Sequence, residues 1–197
     1  MKNIEYPFFR YYLEEKGKRP EPIYVFASGS DEWQTMDVWP SDDIAFTPMY
    51  LSGGMSLSAD APSEEESSSC YVSDPHDPVP FMEDASRRDK SYMVADQSFA
   101  SARNDVLTFV SDELEETLKL EGPLKAELEM EISSTDADVI IKLIDVHPDG
   151  YQMLVRGEVL PARYRYSLSD PQPVEPGKPF RVDSTMNDID HWAPPGH

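Results

Sequence analysis

Serine, histidine, aspartate and cysteine are the side chains here that could do chemistry, and spacing decides what each could do. Gly54-Met55-Ser56-Leu57-Ser58 comes nearest to the Gly-x-Ser-x-Gly turn that exposes a nucleophilic serine between a strand and a helix. Its second glycine is replaced by Ser58, and Met49 to Leu51 and Met55 to Leu57 around Gly53-Gly54 read as a hairpin. Ser56 is therefore expected to be a turn serine, and Ser30 lacks even that context. The four histidines, His76, His147, His191 and His197, are scattered along the chain. His191 and His197 are too far apart for the i, i+4 pair of a helical zinc site, so no metal is expected. Asp183, Asp188 and Asp190, and the pair Asp136 and Asp138, could offer oxygens to calcium. Neither group carries the glycine of an EF-hand loop, so solvated or turn-capping carboxylates are the expectation. Cys70 follows Ser67-Ser68-Ser69 in a polar stretch and, as the only cysteine, cannot form an internal disulfide. Neither a cofactor nor a catalytic Ser-His-Asp set is expected.

The elements that would position these groups must come from a chain of 197 residues, the size of one ordinary domain. Apolar residues make up 39% and mean hydropathy is −0.55, which points to a modest core with generous loops. Eighteen prolines interrupt the chain too often for long helices, so an all-β domain is favoured. The net charge of −21 argues against nucleic acid and anionic membrane as partners, since both are bound by neutralising negative charge with Lys and Arg. No stretch is long or apolar enough to span a bilayer. Glu5, Pro7 and Arg10 interrupt the start, so no signal peptide is read and localisation stays open.

Along the chain, residues 4–16 read as a helix with Phe8, Phe9, Tyr12 and Leu13 on one stripe and Gly17 as its stop. Ile23 to Ala27 reads as a buried strand ending at Gly29, and residues 58–69 as an acidic, low-complexity loop. Asp74 to Pro80 reads as a stiff extended loop. Val106 to Val110 is expected to be a strand. Thr117 to Leu120 is expected to pair with Lys125 to Ile132, where Ala126, Leu128, Met130 and Ile132 alternate with charged residues. Val139 to Val146 reads as a central strand and Pro148-Asp149-Gly150 as a turn. Gln152 to Val155, Arg163 to Ser167 and Phe180 to Thr185 complete the strand set of a β-sandwich.

Several ordered blocks go beyond a fold class. They run Val79-Pro80, Asp96-Gln97, Arg103-Asn104-Asp105-Val106-Leu107-Thr108-Phe109, Gly122-Pro123, Asp136-Ala137-Asp138, Lys142-Leu143-Ile144-Asp145-Val146, Pro148-Asp149-Gly150 and Arg163-Tyr164-Arg165. Their order resembles the C-terminal jelly-roll domain of the α-amino acid ester hydrolases, and of the wider serine hydrolase family of cocaine esterase, glutaryl-cephalosporin acylase and X-Pro dipeptidyl-peptidase. The resemblance implies an all-β, galactose-binding-like jelly-roll sandwich over residues 21–197, with its last strands outside the chain. It makes residues 1–20 the last helix and connector of an α/β-hydrolase domain, which carries Ser, Asp and His and is absent here.

The resemblance further implies a domain that is not catalytic alone and meets a small acyl substrate only in the full enzyme. Val79, Pro80, Phe81 and Met82 would edge the substrate pocket. Phe8, Phe9, Tyr12, Leu13 and Trp33 would face the catalytic domain, or support self-association in its absence. Full-length relatives are often exported or periplasmic. A second reading is a free-standing lectin-like or scaffold module with Trp33, Trp39 and Trp192 as a sugar-stacking platform. A third is docking of a separately encoded catalytic half on the helix stripe.

Overall fold

A computed structural model of the chain describes residues 2–63, 68–86 and 90–197. The acidic loop read at 58–69 therefore lies partly outside the described residues. Among those described, ten strands form five pairs, every pair antiparallel, which places the chain in the all-β class. Helix α1 covers Glu5–Glu14. Pro7 is tolerated because the first turn of a helix has no acceptors for its N–H groups. The helix stops earlier than expected. Its C-cap is Glu15, which takes the left-handed conformation (φ 55°) two residues before Gly17, and Lys16 N–H closes onto Arg10 O at 3.1 Å.

Strands β1 (Ile23–Ala27) and β2 (Glu32–Met36) form a hairpin, and β3 (Tyr50–Ser52) and β4 (Ser56–Ser58) form a second one across Gly53–Met55. The expected strand at Val106 to Val110 is absent. Only Val110 is bridged, donating to Met55 O and accepting from Leu57 N, each at 2.9 Å.

The longest feature is a bent ribbon. One arm is β5 (Leu118–Gly122) followed by β6 (Lys125–Met130), and the other is β9 (Phe180–Thr185) followed by β10 (Ile189–Ala193). The hairpin expected between residues 117–120 and 125–132 does not form, because Gly122 (φ 88°) and Pro123 turn a corner instead of reversing the chain. β5 pairs with β10 and β6 with β9, and Met186 N–H donates to Leu124 O (2.8 Å) at the bend. The alternation read in β6 is observed, with Lys125, Glu127 and Glu129 exposed and Ala126, Leu128 and Met130 turned inward. Glu127 and Asp183 oppose each other in the register, and Arg181 offsets the like charges by bonding both.

Strands β7 (Asp138–Val146) and β8 (Gln152–Pro161) make a long hairpin, closed by the turn at Pro148-Asp149-Gly150. Val155 is an extra residue opposite the step from Leu143 to Ile144, which bends the hairpin. Among the described residues β7 is paired on one side only, so it is not the central strand its apolar run suggests. The segment at Arg163 to Ser167 is no strand either. Ala162–Tyr164 is one short 3-10 turn, and the Arg165 guanidinium reaches back to Ala162 O and Gln172 O.

The core joins two layers. Val139, Ile141 and Leu160 from the β7–β8 hairpin meet Leu128, Met130, Phe180 and Val182 from the ribbon, and Ala162 and Val174 fill the space between. Burial of this cluster is the main favourable term, roughly 1.5–3 kcal/mol for each fully buried large side chain.

Polar pins hold the irregular segments to this frame. The Asp96 carboxylate accepts Ser98 N–H, Ser98 Oγ–H and Gln152 N–H at 2.8–3.1 Å. Burial pushes its pKa up, yet these bonds outweigh burial and hold it below the usual carboxylate range. The ammonium of Lys142, its pKa lowered by burial, donates to Gln97 Oε1 at 2.6 Å. Arg103 grips both oxygens of Asp105 and the carbonyl of Asp77, and Arg163 pairs with Asp136.

Candidate functional site

Three of the four histidines converge on one carboxylate. Asp145, near the end of β7, is buried and accepts from two rings. His191 Nε2 lies 2.9 Å from Asp145 Oδ2, and His197 Nδ1 lies 2.8 Å from Asp145 Oδ1. His147 Nε2 stands 3.9 Å from Oδ2. Just past the end of β7, His147 opens the turn to β8, where its N–H donates to Tyr151 O and its carbonyl accepts Gly150 N–H. His191 belongs to β10. His197 is held by Leu114 N–H donating to its carbonyl and by Gly196 N–H donating to Leu114 O.

On the far side of His191, Ser28 Oγ lies 2.8 Å from Nδ1. Serine, histidine and aspartate thus stand in line, although the sequence gives no spacing from which such a set could be read. A carboxylate only accepts, so His191 Nε2 carries hydrogen. In the neutral ring Nδ1 is then the acceptor, and the hydroxyl hydrogen of Ser28 is shared between it and Asp190 O at 3.1 Å.

This line lacks what acyl transfer requires. His191 is 1% exposed, so no carbonyl carbon can approach between it and Ser28. Oxyanion stabilisation needs free N–H groups beside the nucleophile. Ser28 N–H is already donated to Asp190 O (3.0 Å), and Trp192 N–H to Ser28 O (2.8 Å). Beside Gly29 the space is filled, since a Cβ there would sit 2.0 Å from Trp192 O. Ser28, His191 and Asp145 therefore fasten the β1–β2 hairpin, β10 and β7 together. Asp190 next to them has its pKa raised, first by burial, while Trp192 Nε1–H opposes the rise by donating to it.

The residues singled out from sequence are dispersed. Ser56 is an exposed residue of β4, in a strand–turn–strand setting with no histidine bonded to it. Asp183 is bound by Arg181, Asp188 accepts Trp39 Nε1–H at 2.7 Å, and Asp136 is bound by Arg163, so none of these converges on a cation site. In the 79–82 loop, Val79 and Pro80 are half-buried, Met82 is 7% exposed and Phe81 is 51% exposed against Tyr92. On α1, Phe8, Phe9, Tyr12 and Leu13 are 46–75% exposed and no residue of the helix is buried. Trp33 is 60% exposed and packs on Phe26. Trp39 is tied to Asp188, and Trp192 is covered by the Lys119 ammonium 3.7 Å from its ring centre, so no shared aromatic platform forms.

The residues missed by sequence reasoning are Ser28, Asp145, His147, His191 and His197 as a group. The one local signal was Asp145-Val146-His147, two polar residues with alternate spacing at a strand end.

Comparison with known proteins gives the frame for these observations. Residues 5–197 match the family described as the X-Pro dipeptidyl-peptidase C-terminal non-catalytic domain. Over 185 residues the chain is 32% identical to a cocaine esterase from Rhodococcus sp. (strain MB1 Bresler), covering 89% of this chain and 32% of the esterase. An aminopeptidase from the marine sediment archaeon Thaumarchaeota archaeon superposes with a TM-score of 0.91 at 28% identity, covering 100% of this chain and 35% of the other. An α-amino acid ester hydrolase superposes at 0.88 with 32% identity, covering 98% and 35%. The chain thus spans about a third of the length of the relatives it matches.

Proposed function

The chain belongs to the family of X-Pro dipeptidyl-peptidase C-terminal non-catalytic domains, and from that premise we propose that it serves as the β-domain that supports, and edges the substrate pocket of, an α/β-hydrolase unit with a serine nucleophile. The observation that carries this reading is α1. A ten-residue helix with no buried residue, and with Phe8, Phe9, Tyr12 and Leu13 all exposed, presents an apolar stripe that calls for a partner surface. Trp33 extends the same kind of surface on β2. The substrate class would be α-amino acid esters or acyl amides: the partner's serine attacks the carbonyl, its histidine moves the proton and its aspartate orients the histidine. Phe81, exposed in the 79–82 loop, would contribute apolar contact to the acyl group, with Met82 anchoring the loop from beneath.

The free-standing lectin-like reading is weaker, because two of the three tryptophans are already occupied by hydrogen-bond and ammonium contacts.

The test is direct. The 197-residue chain is given a p-nitrophenyl ester of an α-amino acid, beside Ser28→Ala and Ser56→Ala variants. All three should release nitrophenol at the rate of buffer alone. Turnover by the parent chain that disappears in Ser28→Ala would show the buried line to be a working triad and end this reading.

A further inference from the structure

We propose that Asp145, His147 and His197 form a binding site for a zinc ion. Their ligand-type atoms, one carboxylate oxygen and two imidazole nitrogens, all lie within 4.8 Å of one another. Around a tetrahedral zinc, ligand atoms stand about 3.3–3.5 Å apart. Here one pair is closer, His197 Nδ1 to Asp145 Oδ1 at 2.8 Å, and another wider, His147 Nε2 to Asp145 Oδ2 at 3.9 Å. These two distances run to different oxygens, and Oδ2 already accepts from His191, so Oδ1 would be the zinc ligand and the ion would displace the hydrogen that His197 Nδ1 shares with it. The rings of His147 and His197 face each other at 4.5 Å between centres, tilted by 37°.

A second observation points to a ligand. His147 Nε2 is shut off from solvent and, among the described residues, has no hydrogen-bond partner. Leaving a polar nitrogen buried and unpaired is unfavourable, and a metal bond would remove that penalty. The surroundings are built in the manner of a metal centre. His191 donates from Nε2 to Asp145 and so fixes the carboxylate, as outer partners of metal ligands do. Backbone bonds hold His147 in the β7–β8 turn and His197 against Leu114, so both rings are placed before any ion arrives.

Two imidazoles with one carboxylate suit zinc. Calcium and magnesium prefer oxygen donors throughout, and Cys70, exposed, is not among the grouped ligands. Three protein ligands leave one position for water or a further group.

The experiment uses the whole chain carrying Cys70→Ser, stripped with EDTA and dialysed. Titration with ZnCl2, followed by calorimetry and thermal melting, should show one ion bound and a rise in Tm of about 5 °C at saturation. Co2+ in place of zinc should give the visible absorption bands of a four-coordinate ion. His147→Ala should lose the zinc response and bind at least about tenfold more weakly. His76→Ala should keep both. If His147→Ala melts well below its parent in EDTA, His147→Gln keeps most of the side-chain volume and must show the same loss. Zinc that leaves the parent unshifted, or that shifts His147→Ala or His147→Gln as much as the parent, overturns the proposal.

Discussion

Replacing Asp145 by alanine should lower the stability of the domain by about 3–5 kcal/mol, a fall in Tm of about 10 °C. The carboxylate is the shared acceptor for His191 and His197, and His191 is buried on every side. Alanine leaves the two ring nitrogens facing an apolar gap, and each unpaired buried polar group costs roughly 1–3 kcal/mol. The loss is larger than one hydrogen bond because the same carboxylate joins three parts of the chain: β7, β10 and the C-terminal turn. Asp145→Asn keeps one acceptor oxygen and should lose less than half as much. Chemical denaturation of both variants, with a double-mutant cycle through His191→Ala, checks this. Nearly additive losses would show that the aspartate and the histidine act separately, against the shared-acceptor geometry.

Gly29→Ala should cost about 3–4 kcal/mol, although it adds one methyl group at a chain reversal. Gly29 has φ near +85°, where an L-residue costs roughly 1–2 kcal/mol. The larger part is steric. The new Cβ would stand 2.0 Å from Trp192 O and 2.9 Å from Trp192 C, and neither atom belongs to a side chain that could turn away. Relief requires pulling the β1–β2 hairpin off β10, which breaks the two backbone bonds between Ser28 and its partners, Asp190 O and Trp192 N, and the Ser28–His191 contact. Gly150→Ala is the control, since Gly150 has a similar φ of 89° with nothing within 4 Å of the added carbon. It should cost only about 1–2 kcal/mol. Equal Tm losses for the two variants would show that backbone strain, not the close approach of β1 to β10, governs this position.

What the sequence reveals here follows the physics of each element. Ile23 to Ala27 and Phe180 to Thr185 are strands with the bounds read from their residues, because β-forming side chains there are flanked by clear breakers. The β6 alternation is legible because one face is wet. Pairing partners are not, since alternation fixes which face is buried but not which strand lies alongside. That is why β5 and β6 read as a hairpin and are in fact consecutive segments of one arm of the ribbon.

Strand β10 escaped notice for a different reason. Ile-Asp-His-Trp-Ala looks like solvated loop, yet Asp190 and His191 are buried because their partners are Ser28 just after β1, Asp145 of β7 and Trp192 of β10 itself. Of the Asp145 cluster, only the Asp145-Val146-His147 step is local in sequence. His191 and His197 lie 46 and 52 residues from Asp145 in sequence and meet it only through tertiary pairing. The family blocks fare better: Asp96-Gln97, Arg103 to Asp105 and Asp136 with Arg163 are the polar pins of the fold, so their order carries structural information directly.

The role of this chain as an accessory domain is tested most directly by its affinity for a separately produced α/β-hydrolase unit of the same protein family, measured by calorimetry. Binding is expected, and the pair Phe9→Ser and Leu13→Ser should weaken it at least about tenfold while leaving the Tm of the free domain unchanged, because neither side chain is buried in it. Failure to bind, or equal affinity with both apolar side chains removed, would contradict that role.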